Sequence, residues 1–209
     1  IVKYKDLFHK SKKCLIVMEY LPQDLYYYLN QTKNLYEKDI RIILTQIVNG
    51  LYFLSNKHNI YHADIKLENI GLANKNDLSS IKLIDFSNYL KIPKNKQYIT
   101  IHKYDHGTLD YLAPELLIGK FYKNSDVWSI GVLLYLLLTN KFIQNEYLIV
   151  NINQNTIDRK LQKLKKLRNP ISDELFTLIS LMLRVDPEER ITLKQLKTHN
   201  NIYNNYRKK

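Results

Sequence analysis

The 209-residue sequence predicts an α+β fold, in which a remnant of an antiparallel sheet precedes a mainly helical body. Three observations carry this. Ile1–Phe8 and Cys14–Glu19 are strand-like runs joined by the polar turn His9-Lys10-Ser11-Lys12-Lys13, a hairpin signal. Ile40, Ile43, Leu44, Ile47, Val48, Leu51 and Leu54 recur at helical spacing, so this helix buries one face. Val127–Leu138 is apolar on all sides, which places another helix in the middle of the helical body.

The remaining elements follow in order. Asp24 stands before Leu25–Leu29 and suits a helix N-cap. The long amphipathic helix ends near Asn56-Lys57-His58-Asn59. Asn69–Ala73 and Ser80–Ile84 pair as a second hairpin around Asn74-Lys75-Asn76-Asp77. The segment from Asp85 to Glu115 is polar and long, as functional loops tend to be, and holds Tyr98, Thr100, Tyr104 and Thr108. Asn145–Ile152 and Ser172–Arg184 are further helices, the second opening on a Ser-Asp-Glu cap. A last helix starts at Thr192, and the Asn/Lys-rich end, 201–209, is expected to fray.

Composition narrows the class. Hydrophobic content of 45% and charged content of 25% are ordinary globular values. Cys14 is the single cysteine, so no internal disulfide forms and a reducing intracellular setting, cytoplasmic or nuclear, is expected. The longest apolar run falls short of the roughly 20 residues of a membrane span. Nothing at the start resembles a signal peptide, and Ile1 in place of Met suggests that the true beginning lies upstream. The net charge of +12 suits either a nucleic-acid binder or a solvated basic surface. Scattered lysines and a general Asn/Lys/Ile/Tyr bias, the mark of an AT-rich coding sequence, favour the second, with no specific nucleic acid as partner. In the tract Arg159–Arg168, Leu161, Leu164 and Leu167 form one stripe among lysines. Such a stripe serves a membrane or partner helix or, more commonly, a surface helix packed on its own domain.

The chemistry concentrates in His62-Ala63-Asp64-Ile65-Lys66-Leu67-Glu68-Asn69 and in Asp85, which ends the apolar run Ile81–Ile84. Asn69 and Asp85 offer hard oxygen ligands of the kind magnesium takes. Asp64 stands free to accept a hydroxyl proton, and Lys66 can neutralise charge on a migrating phosphoryl group. These are the parts of a phosphoryl-transfer site. No second His or Cys lies near His62 at metal-ligand spacing, so zinc is not expected.

At these residues the chain resembles the eukaryotic protein kinases. The family's H-R-D-x-K-x-x-N loop stands here as HADIKLEN, its D-F-G as Asp85-Phe86-Ser87 and its A-P-E as Ala113-Pro114-Glu115. Asp126–Gly131 resembles the next landmark, Arg190 falls at the late conserved arginine, and Gly107–Glu115 is similar to Ser/Thr kinase activation segments, the Aurora group among them. The resemblance implies the helical C-terminal lobe over 22–200, the end of the N-terminal lobe and the hinge over 1–21, and a tail over 201–209. It implies ATP and Mg²⁺ as cofactors and Ser/Thr hydroxyls of protein substrates as acceptors, with any regulatory protein unknown. Met18 would back the nucleotide pocket, the backbone of Glu19 and Leu21 would hold adenine, and Gly71 would lie beneath it. Asp24 is left between ribose contact and helix cap. Asp64 would be the catalytic base, with Lys66, Asn69 and Thr108 as its partners, while Asn69 and Asp85 hold the metal. Asp126 would anchor the loop's amides, Glu115 would pair with Arg190, and His62 would be scaffold.

Four departures from the pattern set further expectations. The 209 residues hold no Gly-rich loop, strand lysine or partner glutamate before the hinge, so by themselves they are expected to lack half of the nucleotide cleft. Ala63 replaces the arginine that reads a phosphate on the activation segment. Ser87 replaces a glycine and is expected to restrict the loop after Asp85. Gly71 replaces a large aliphatic residue, leaving a gap under the base that weakens nucleotide binding by about 1–3 kcal/mol unless Leu72 compensates. The rival to an active kinase is a pseudokinase, a scaffold that keeps the fold without the chemistry.

Overall fold

The computed structural model describes residues 1–11, 13–32, 35–102, 106–144 and 151–199. Strands β1 (Tyr4–Lys10) and β2 (Lys13–Met18) pair antiparallel, with Tyr4 opposite Met18 and Lys10 opposite Lys13. The hairpin meets the body through Val2 N–H, which donates to Leu83 O at 2.9 Å, and through the Glu19–Lys82 ion pair at 2.6 Å. Strands β3 (Gln23–Asp24), β5 (Ile70–Leu72) and β6 (Ile81–Leu83) form a small sheet in the order β3-β5-β6, which sets Asp24 and Lys82 on either side of Gly71. The expected second hairpin is thus present, and a third strand, β3, joins it.

Helix α1 (Leu25–Gln31) starts at Asp24, whose Oδ1 accepts the Tyr27 amide at 2.7 Å. Helix α2 (Glu37–His58) buries the apolar stripe read from its spacing and ends at Asn59 with φ 54°, a left-handed cap that asparagine tolerates. Helix α3 (Ser125–Thr139) has all its residues buried except Ser129, Leu138 and Thr139. It forms the axis of the core, with Trp128 fully buried. A Cβ on its Gly131 would lie 2.8 Å from Leu183 Cγ, so the helix after Asp173 can approach only over a glycine.

That helix is α5 (Asp173–Met182), and Ser172 caps it. Before it, α4 (Gln154–Leu161) continues into a tight turn over Gln162–Lys166. Leu161 and Leu164 are buried and Leu167 packs against the same core. The basic tract is therefore a surface element on its own domain, not a partner helix. Helix α6 (Leu193–Thr198) is capped reciprocally by Thr192 and Gln195. Among the described residues no helix is long and apolar enough to cross a membrane. The helix expected at Asn145–Ile152 falls mainly on 145–150, which lie outside the described residues, as do Tyr104 and the tail.

Two short ladders tie the long polar segment down. Strand β4 (Ile60–Tyr61) pairs with β7 (Leu90–Lys91), and β8 (Tyr98–Thr100) pairs with β9 (Lys120–Tyr122).

Candidate active site

The loop after β4 is positioned from beneath by α3. Asp126, in its first turn, accepts the His62 amide at 2.8 Å and the Ala63 amide at 2.9 Å. These bonds hold Ala63 at φ 62°, a conformation that costs a non-glycine residue on the order of 1–2 kcal/mol. Burial pushes the Asp126 carboxyl up, against the pull of His62 and the two amides. His62 is fully buried, bonds Ile84 O through Nε2 at 2.9 Å and lies 4.7 Å from the Phe86 ring. Its ring thus spans the loop and the strand that delivers Asp85.

Asp64 is the convergence point. Its side chain is 5% exposed, and Oδ1 accepts the Thr108 hydroxyl at 2.8 Å. Oδ2 lies 3.0 Å from Lys66 Nζ and 3.1 Å from the Asn69 amide nitrogen. Lys66 Nζ also donates to Thr108 Oγ1 at 2.9 Å, which closes a ring of three side chains. Thr108 is brought in by Gly107 at φ 82°, where a Cβ would crowd Leu112 at 2.9 Å and the Ala63 carbonyl at 3.2 Å. Asn69 Nδ2 also bonds the Asp64 carbonyl at 2.8 Å. With its NH₂ committed to Asp64, the amide oxygen of Asn69 is the group left to face a cation.

Asp85 takes φ 58° at the end of β6. Its Oδ1 accepts the Ser87 hydroxyl at 2.7 Å and the Ser87 amide at 3.2 Å. These donors hold its carboxyl below the usual range, so it is charged at neutral pH. The positive φ sits on Asp85 and not on Ser87. Ser87 acts instead as a side-chain clamp on Asp85. An amide oxygen and an ionised carboxylate fit a hard divalent cation such as magnesium.

A cleft of about 510 Å³ continues beyond Ile84, lined by Tyr20, Leu21, Asp24, Tyr27, Gly71 and Lys75, among others. Leu21, Asp24 and Gly71 thus share one cavity. Met18, 48% exposed on β2, is not in its lining, and the Glu19 side chain turns away to Lys82. The gap expected over Gly71 is absent: a Cβ there would lie 2.4 Å from Leu21 Cδ1. Leu21 fills the space from the segment between β2 and β3, while Leu72 stays buried in the core. Neither this contact nor the Ser87 clamp was found by sequence reasoning, since both depend on where side chains point.

Away from the loop, Arg190 binds Glu115 in a fork of 2.6 and 2.8 Å, with the arginine side chain fully buried. Ser125 adds a hydroxyl to the same carboxylate at 2.7 Å.

A catalytic loop anchored on a buried aspartate, a clamped carboxylate after a strand and a buried Glu–Arg fork define a protein kinase domain. The protein kinase domain family matches residues 1–202, and the chain belongs to it. It is 34% identical over 194 residues to an Aurora kinase of Eremothecium gossypii, covering 92% of this chain and 50% of that protein. It is 31% identical over 201 residues to an Aurora kinase of Schizosaccharomyces pombe, covering 95% and 53%. A carbon catabolite-derepressing protein kinase of Secale cereale is 31% identical over 206 residues, covering 95% and 38%. The chain thus spans about half the length, or less, of these relatives.

Proposed function

We propose that the protein transfers the γ-phosphoryl group of magnesium-bound ATP to Ser/Thr hydroxyls of protein substrates, with residues 22–200 as the catalytic lobe and 1–21 as hinge and sheet. The ring of Asp64, Lys66 and Thr108 carries this reading. In it, a carboxylate with both oxygens already oriented accepts the proton of the attacking hydroxyl. Lys66, bonded to Asp64 and Thr108, offsets charge on the phosphoryl group in flight. Magnesium would be held by Asn69 and Asp85 and would neutralise the phosphate oxygens. Asn69 would link the metal to the base, because its NH₂ fixes Asp64 and its oxygen would be left for the cation. The names of the relatives, Aurora kinase and other Ser/Thr kinases, support the substrate class.

Phosphate transfer from ATP–magnesium to a Ser/Thr peptide library by the full-length protein tests this. Asp64→Asn is expected to lower turnover by about 10²–10⁴-fold, the usual share of a positioned base, with nucleotide binding kept. Asp85→Ala is expected to abolish the magnesium dependence of binding. ATP binding with no transfer, unaltered in Asp64→Asn, would leave the scaffold reading in its place.

A further inference from the structure

The cleft beyond Ile84 has an apolar plug that the catalytic machinery does not use. Gly71 lies on β5 between Asp24 and Lys82. The three heavy atoms nearest to a Cβ built on it all belong to Leu21: Cδ1 at 2.4 Å, Cβ at 3.4 Å and Cγ at 3.5 Å. A real Cβ and Cδ1 cannot coexist at the first of these distances. Gly71 and the Leu21 side chain are therefore a complementary pair, each occupying space the other vacates. Both line the same cleft of about 510 Å³, and so does Ile84, the residue before Asp85. Asp85 marks the side on which the phosphates of a nucleotide belong. Its flat heteroaromatic base then lies further out, against Leu21.

We infer that Leu21 is the residue that sets the floor and the shape of the base pocket, a role taken by the hinge segment in place of strand β5. This rests on the reading of the cleft as a nucleotide site and adds its specificity determinant. The floor then moves with the hinge. Leu21 follows directly on Glu19 and Tyr20, and Glu19 is tied to Lys82 of β6 at 2.6 Å. A side chain on the connection between hairpin and body thus makes the apolar contact with the base.

Calorimetric titration of ATP–magnesium against a mutant cycle in the full-length protein tests the inference, with Tm recorded for each variant. Leu21→Ala removes the plug and is expected to weaken binding about tenfold, the effect of losing part of one buried aliphatic contact. Gly71→Leu collides with Leu21 and is expected to lower Tm. The double variant Leu21→Ala/Gly71→Leu returns the aliphatic group from the strand and is expected to bind within about threefold of wild type and to regain the lost Tm. Should Gly71→Leu fail to fold, Leu21→Ala and the double variant carry the test between them. Binding by Leu21→Ala equal to wild type, or a double variant no better than Gly71→Leu, overturns the role of Leu21. Absence of binding in wild type, unaltered in Asp85→Ala, overturns the nucleotide reading itself, and the inference with it.

Discussion

Arg190 spends nearly every donor it has inside the protein. Beyond the fork on Glu115, its Nε donates to the Arg184 carbonyl at 2.9 Å, and its guanidinium lies 5.1 Å from the Trp128 ring centre. Removing it strands a buried carboxylate, so Arg190→Ala is expected to cost about 3–5 kcal/mol. Arg159 is an exposed counterexample: its Nε reaches only the Asn155 carbonyl of its own helix, at 3.4 Å. Arg159→Ala is expected to stay within about 0.5 kcal/mol of wild type. Urea unfolding of both checks this, and equal midpoints would contradict it. Glu115 and Arg190 were legible in the sequence because each stands in a recognisable motif, as were Asp64, Lys66, Asn69 and Asp85. The pairing of Leu21 with Gly71 was not. Two apolar residues far apart in the chain carry no signal that they meet, and the missing side chain pointed to a gap where the fold supplies a filling.

At the scale of elements, α2 and α5 are joined end to end by a polar knot. Glu37, at the start of α2, accepts the Ser172 amide at 2.6 Å and its hydroxyl at 2.7 Å, while Arg41 bonds Glu37 from the next turn and reaches Ser172 at 3.1 Å. Burial pushes the Glu37 carboxyl up, but the Ser172 donors and Arg41 outweigh it and hold its pKa below the usual range. A carboxyl depressed in the folded state contributes stability that is fully present above its unfolded pKa of about 4.3 and is lost as pH falls through the folded value. Glu37→Gln is therefore expected to cost about 1 kcal/mol near neutrality, and the gap to wild type is expected to close in acid, below about pH 4. Thermal melts of both proteins across that range decide it; a constant gap would show that Glu37 titrates alike in both states. The β8–β9 strap yields a second expectation. Tyr98 stacks on Tyr122 at 4.8 Å, Lys120 sits 5.0 Å from the Tyr98 ring centre, and Ile101 N–H bonds Gly119 O at 2.9 Å. Backbone pairing thus orders this part of the segment, and the loop holds Ala63 where a phosphate-reading arginine would stand. Phosphatase treatment of the full-length protein is expected to leave most of the proposed transferase activity, and a loss of tenfold or more, reversed on rephosphorylation, would contradict this. The helices α2 and α3 were legible because a periodic or unbroken apolar pattern sustained over many residues has few other solutions. The strands outside the two hairpins, of two or three residues, are too short to show a period, and the Glu37–Ser172 bond joins residues 135 positions apart in the chain.

Across the whole molecule, stability is distributed unevenly. The body is organised around α3, with α2 and α5 packed on the same core. The β1–β2 hairpin contributes almost nothing to that core: Tyr4, Phe8, Leu15, Ile16 and Met18 are all about half exposed or more. Strand pairing by itself is marginal in water when two strands lack an apolar layer to cover them. The described links to the body, the Val2–Leu83 backbone bond, Ile1 beside Gly50 and the Glu19–Lys82 pair, lie at its base. The Lys82 and Glu19 side chains are partly buried, but a single ion pair does not replace an apolar layer. Amides of β1 and β2 in the 209-residue polypeptide should therefore open with a small free energy, while those of α3 open only with the global transition. Native-state hydrogen exchange is expected to give hairpin protection factors lower than those of α3 by about 10² or more, the ratio that a gap of some 3 kcal/mol produces. Lys82→Ala is expected to lower hairpin protection further and to leave α3 unchanged, because it cuts one of the links at the base. Equal protection in hairpin and helix would show that the sheet and the helical body unfold as one cooperative unit.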